Sequence, residues 1–245
     1  MPPPSYTVAV LAVVFASALM RSTFGFGAAT IALPLLSFFM TVQSASALMA
    51  ILGTVLAGAI ILQGRQAVDV AGVWRMLLAS LLGIPLGVLL VRAAGDRPAK
   101  AILALAIIAF SAWCLFWARR GVLARDRWAW PFGVWAGVLG GAYSIYGPPL
   151  VVYGTLRGWS AELFRATIQV YLLPVGVVTL ALHAAAGWWT AAVGWYALLS
   201  LPALLAGLAL GAVVNRRFRG EAFTRSMHAL LLCLGAALLA RVLLA

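Results

Sequence analysis

Charge is what this sequence lacks most. Only 9% of its 245 residues are charged, five are acidic, and 65% are hydrophobic. A soluble domain carries about 25% charged residues to face water. No water-soluble fold of this length could hide so much apolar side chain, so the composition excludes a soluble enzyme or binding module and defines an integral membrane protein. Cysteine is as scarce. Cys114 and Cys233 both lie inside apolar runs and read as small buried side chains, not as a disulfide or a metal site. His and Cys nowhere take zinc spacing, and HExxH, P-loop and nucleotide fingerprints are absent. No metal, cofactor or enzymatic constellation is therefore expected. Met1–Tyr6 lacks a basic start and a small-residue cleavage site, so the first apolar run is expected to stay in the fold.

What is present is a net charge of +12, gathered in short breaks between apolar runs. Such a pattern reads as the positive-inside rule, and nucleic acid is not expected as a partner. Runs of about 20 apolar residues are long enough to cross a bilayer. Six occur, near 45–63, 72–92, 98–118, 165–187, 190–214 and 223–244. Two further stretches are too long or too broken for one helix. Residues 7–41 are interrupted from Arg21 to Gly27, and 128–156 from Gly140 to Pro149. Glycine and proline at this density break a helix, so each stretch reads as two short helices meeting at an irregular centre.

Loop charge sets the orientation. Arg119, Arg120, Arg125 and Arg127 in one loop and Arg216, Arg217, Arg219 and Arg225 in another place both loops in the cytoplasm. Tracing the spans back from them puts Arg157 and Arg165 inside. Residues 128–156 must then begin and end on one side, as a re-entrant hairpin or as two short spans. The same tracing places 63–72 inside and the N-terminus, 41–45 and 92–98 outside, although the last carries Arg92 and Arg97. Tryptophans 128, 130, 188, 189 and 195 read as interfacial anchors.

The two broken stretches match each other. With Gly25 over Gly140, Pro34 falls on Pro149 and Leu35 on Leu150. Further on, Gly83-x-x-x-Gly87 corresponds to Gly207-x-x-x-Gly211, a spacing that lets helices approach closely. The reading is an all-α membrane domain of two inverted-topology repeats, 1–122 and 123–245. Each is a broken or re-entrant helical hairpin followed by three transmembrane helices, an architecture used for alternating access.

Irregular backbone survives at membrane depth only when buried in protein or lining a wet cavity, so the breaks point to the substrate site. Helices restarting there offer amide N–H groups and a positive dipole end, suited to an anion. The candidate ligands are Arg21, Ser22, Thr23, Gly25, Gly27, Thr30 and Pro34 at the first break, and Tyr143, Ser144, Tyr146 and Pro149 at the second. Arg165, Thr167 and Gln169 follow in the next span, with Gln43, Ser44 and Ser46 opening its counterpart. Backbone amides near Gly25, Gly27 and Ser144 would orient the anion. Arg21 reads equally as a ligand at depth or as a snorkelling surface arginine, and Arg165 as a ligand or an anchor. All five acids, Asp69, Asp96, Asp126, Glu162 and Glu221, read as loop residues. His183 and His228 are then the only buried groups that could couple transport to protons, and His183 reads also as a structural or interfacial histidine; the alternative energy source is the membrane potential, driving uniport or export. A channel would use the same donors without needing a repeat.

The segment Gly25 to Pro34, its counterpart ending in Pro148-Pro149-Leu150, and Phe164-Arg-Ala-Thr167 resemble the TauE/SafE sulfite exporter family over essentially the whole chain. Ala28 and Ala29, and Tyr143 and Ser144, stand where the family pattern often has a richer glycine run. The resemblance implies a multi-pass carrier in the bacterial inner membrane for sulfite, sulfoacetate or related organosulfonates. Non-sulfur organic anions are the alternative. The partners implied are a small anion and the lipid bilayer. A homo-oligomer is left open, since an apolar outer face serves lipid and a neighbouring subunit alike.

Overall fold

The computed structural model describes residues 4–24, 27–63, 70–117, 123, 125–214 and 221–244. They form ten α-helices: α1 Pro4–Phe24, α2 Ala28–Leu36, α3 Val42–Gln63, α4 Val70–Ala94, α5 Asp96–Phe116, α6 Ala129–Tyr143, α7 Gly147–Leu156, α8 Ala161–Ala185, α9 Ala191–Val214 and α10 Glu221–Leu244. A short 3-10 turn over Asp126–Trp128 leads into α6. Six helices, α3, α4, α5, α8, α9 and α10, are long and apolar enough to cross a membrane; these are the six runs read from the sequence. The broken stretches resolve into the pairs α1–α2 and α6–α7. Arg119, Arg120, Arg216, Arg217 and Arg219 lie outside the described residues.

Side-chain contacts sort the helix ends into two groups. At one end Tyr6, at the start of α1, packs its ring 5.8 Å from that of Phe39, just past α2. The Val42 N–H that opens α3 donates to Asp96 at the start of α5. Arg97 donates to Val242 O and Arg241 to Phe38 O, bringing in the end of α10. At the other end Asp126 pairs with Arg75 at 3.2 Å and Arg157 at 2.7 Å, and Leu123 N–H donates to Leu156 O. Both broken pairs are therefore re-entrant hairpins. Each starts and finishes at one end of the bundle, and the two enter from opposite ends. That arrangement is consistent with two halves of opposed orientation. Arg97 on the expected outer side also has a local cause. It meets the C-terminal carbonyls of α10, where a cation complements the helix dipole.

Cysteine labelling in sealed membranes should read this directly. Single cysteines at Arg125 and Trp159 are expected to react from the same face, and those at Tyr6 and Phe39 from the opposite face. Labelling of Arg125 and Trp159 from different faces would show two spans instead of a hairpin.

The tightest packing runs along small residues. Helix α4 lies on α6, and α1 on α9, the same pairing with the halves exchanged. A Cβ on Gly83 or Gly87 would run into the backbone at Val134 and Val138, and one on Gly137 or Gly141 into the backbone at Ser80 and Ile84. In the counterpart seam a Cβ on Gly207 would fall 2.6 Å from Phe15 O, and one on Gly211 2.8 Å from Leu19 O. Lipid tails are as apolar as the helices, so close backbone approach replaces the hydrophobic drive that would pair helices in water.

Some expectations change. Helix boundaries pair the hairpins at an offset of 119 residues, with Phe24 over Tyr143, Ala28 over Gly147 and Val42 over Ala161. That is about one helical turn from the Gly25–Gly140 register, so the Pro34–Pro149 match is not structural equivalence. Cys233 is exposed on α10 and Cys114 half-buried; where the surroundings are hydrocarbon, an apolar side chain needs no protein cover. Trp188 is buried, 4.4 Å from the His183 ring, and is not an interfacial anchor. Asp96 and Glu162 sit in the first turns of α5 and α8, not in loops, and their carboxylates complement the positive helix ends. Glu221 is the first residue of α10, and Asp69 lies outside the described residues.

Candidate functional site

The hairpin tips meet α3 and α8 around one pocket. It is lined by Arg21 of α1, Gly27 to Thr30 at the start of α2, Met49, Ala50, Gly53 and Thr54 of α3, Ser144 to Gly147 at the second tip, and Ile168, Leu172 and Gly176 of α8. Its cavity of about 50 Å³ exceeds the ~10–15 Å³ that one water requires. The space suits a few waters or a small ion.

Arg21 supplies the charge. It is 4% exposed, halfway along α3 in height, so it does not snorkel. One guanidinium nitrogen donates to Gly53 O at 2.9 Å and the other to Gln169 Oε1 at 3.1 Å. Both partners are neutral, and Nε has no partner among the described residues. The ion pairs Arg75–Asp126, Arg157–Asp126 and Lys100–Asp96 all lie at the bundle ends. Arg21 thus keeps its full positive charge at depth, with a donor to spare. A Cβ on Gly53 would stand 3.6 Å from the guanidinium, in ordinary van der Waals contact.

Helix α2 adds dipoles. Gly27 has φ +96°, a conformation glycine adopts without a Cβ penalty, and turns the chain into α2. Its carbonyl takes the Ile31 N–H. The first three amides, on Ala28, Ala29 and Thr30, have no preceding turn to donate to and sit at the pocket wall.

The second tip is built differently. Pro148 and Pro149 occupy the first turn of α7 and bring no N–H, so this helix start presents few donors. The Ser144 N–H, expected to face an anion, donates instead to Gly140 O at 2.7 Å. Ser144 takes φ +54°, and its hydroxyl donates to Ser46 O at 2.8 Å. Tyr146 lies across Gly140, where no Cβ would fit, and its hydroxyl meets Thr179 and Val175 O. The tip contributes walls more than charge.

The end of α6 shows how a helix can stop at membrane depth. Its terminal carbonyls need donors, and three of them find one here: Gly140 O from Ser144 N–H, Gly141 O from His183 Nε2, and Ala142 O from the Ser46 hydroxyl, while Leu139 O one step back takes the Ile145 N–H. His183 is therefore a helix cap, not a pocket residue, with Nε2 the protonated nitrogen. Replacing it with Ala strands Gly141 O in a buried setting, which costs about 1–3 kcal/mol. A fall in melting temperature is expected for His183→Ala, with Kd for bound anion unchanged. A changed Kd would return His183 to the site.

Of the sequence candidates, Arg21, Gly27, Thr30, Ser144 and Tyr146 line the pocket, and Gln169 reaches it by holding Arg21. Ser22 donates to Leu208 O and ties α1 to α9. Tyr143 donates to Ala99 O. Pro34 is inside α2, and Pro149, Thr167 and the half-buried Arg165 do not line the pocket. Gly25 and the Thr23 side chain lie outside the described residues. Gly53, Thr54 and Gly176 were not foreseen. Small or hydroxyl residues in mid-span were the available signal, and a Cβ on Gly176 would meet the Thr54 hydroxyl at 2.5 Å.

A polytopic helical bundle with opposed re-entrant hairpins around a buried cationic pocket is the build of a membrane transporter. The chain belongs to the sulfite exporter TauE/SafE family, whose model matches residues 9–238. No curated protein and no solved structure gives a significant match.

Proposed function

We propose that this protein is a secondary carrier of small sulfur-containing anions in the bacterial inner membrane, working by alternating access at the pocket between the hairpin tips. The observation that carries the reading is Arg21: a buried guanidinium with neutral partners, a spare N–H, and the α2 amide end beside it. Desolvating an unpaired cation is expensive, so a fold that keeps one at depth gains by binding an anion there. That the anion contains sulfur rests on family membership. Hairpins inserted from opposite ends offer two halves that can exchange access to a fixed site. No described carboxylate lies at the pocket, so the proposed energy source is the membrane potential, which drives anions outward.

Counterflow in proteoliposomes tests this. Internal unlabelled sulfite should accelerate uptake of labelled sulfite, and an imposed potential should set the direction of net flux. Flux without counterflow would identify a channel, and flux that follows pH but ignores voltage would remove the uniport mechanism.

A further inference from the structure

The ionisable groups facing the pocket are few enough to name from every element around it. Residues 22–64 contain no Asp, Glu, Lys, Arg or His, and neither do 4–20, 128–156 or 166–182. These ranges cover the rest of α1, all of α2 and α3, both hairpin tips and the pocket-facing part of α8. Tyr146 lines the pocket as a neutral phenol. On α8 the nearest ionisable group is Tyr171, a second phenol that packs on the Tyr146 ring and meets the Ser80 hydroxyl without lining the pocket; Arg165 and His183 do not line it either, and His183 is engaged with Gly141 O. The pocket therefore holds one formal charge, that of Arg21, and nothing in its lining gains or loses a proton near neutral pH.

We propose that the site selects the charge state of its substrate, accepting singly charged oxyanions and rejecting dianions. This rests on the carrier reading above. An Arg21–monoanion pair is neutral overall. A dianion would leave one negative charge uncompensated in a low-dielectric setting, and neither a second cation nor a protonatable side chain is at hand to cancel it. The oxyanion of a weak diprotic acid is then taken as its hydrogen-bearing monoanion. The proton travels on the substrate, and pH dependence arises without any protein carboxylate.

Chlorate and sulfite make the test clean, because both are pyramidal trioxoanions but chlorate is always a monoanion. Binding to the purified full chain is measured by calorimetry and thermal shift from acid to alkaline pH, with sulfate as a permanent dianion. Chlorate affinity should be flat. Apparent sulfite affinity should fall about tenfold per pH unit once its monoanion is the minor species. Sulfate should bind on the order of 100-fold more weakly than chlorate, the scale set by an uncompensated charge at membrane depth. In Arg21→Gln the chlorate signal should vanish. Sulfite binding that is constant with pH, sulfate binding as tight as chlorate, or chlorate binding that survives Arg21→Gln would overturn the inference while leaving an anion carrier possible. Absence of binding by all three anions at every pH would instead sink the carrier reading, and this inference with it.

Discussion

Arg21→Gln is expected to weaken anion binding by at least about 30-fold while leaving the protein as stable as the parent or more so. The two effects have opposite signs for one reason. Truncating one member of a buried, hydrogen-bonded charge pair costs about 2–5 kcal/mol of binding, and 1.4 kcal/mol is a factor of ten. Without ligand, Arg21 gives the fold only hydrogen bonds to Gly53 and Gln169, each contributing ~1.5–3 kcal/mol for a charged donor. Against these stands the desolvation of a cation with no described carboxylate partner, several kcal/mol in a real protein. A structural arginine would behave in the reverse way, lowering the melting temperature and sparing affinity. Thermal unfolding and calorimetry on one preparation separate the two, and a large fall in melting temperature with an unchanged Kd would remove Arg21 from the site.

The second large effect concerns assembly. Gly87→Ala is expected to destabilise the bundle by about 1–3 kcal/mol or more, seen as aggregation or a lowered midpoint in detergent. Its new Cβ would run into Val138 O and stand 2.7 Å from Ala142 N. Both are backbone atoms that move only if α4 and α6 separate. Separation would also disturb the α6 end, where Ser46 and His183 satisfy the last carbonyls. Gly194→Ala in α9 is the control. No atom lies within 4 Å of its added Cβ, so it should be neutral or stabilising by roughly 0.5–1 kcal/mol, through the lost chain entropy of glycine. Equal behaviour of the two variants would contradict the seam.

The membrane class, the six spans and the two breaks were legible because each depends only on local sequence. A run of apolar residues either reaches across about 30 Å of hydrocarbon or it does not, and dense glycine and proline, as around Gly27 and Pro148, mark a break, although a single proline such as Pro34 is carried inside a helix. Arg21 was legible for the same reason, as a lone charge beside a break. Depth and partners were decided by tertiary structure. Whether Arg21 faced water or Gly53, whether Ser144 N–H met an anion or Gly140 O, and whether Trp188 faced lipid or His183 all depend on helix rotation. A soluble helix reveals rotation through its apolar stripe. Here lipid and core are both apolar, so the outward Leu82 and the buried Ile84 of α4 look alike in sequence. The repeat shows the same limit. The paired breaks and paired Gly-x-x-x-Gly spacings raised it as an expectation, with which hairpins entering from opposite ends are consistent. The register was not readable, because a one-turn slip leaves composition unchanged, and only the helix boundaries pair Phe24 with Tyr143 and Val42 with Ala161.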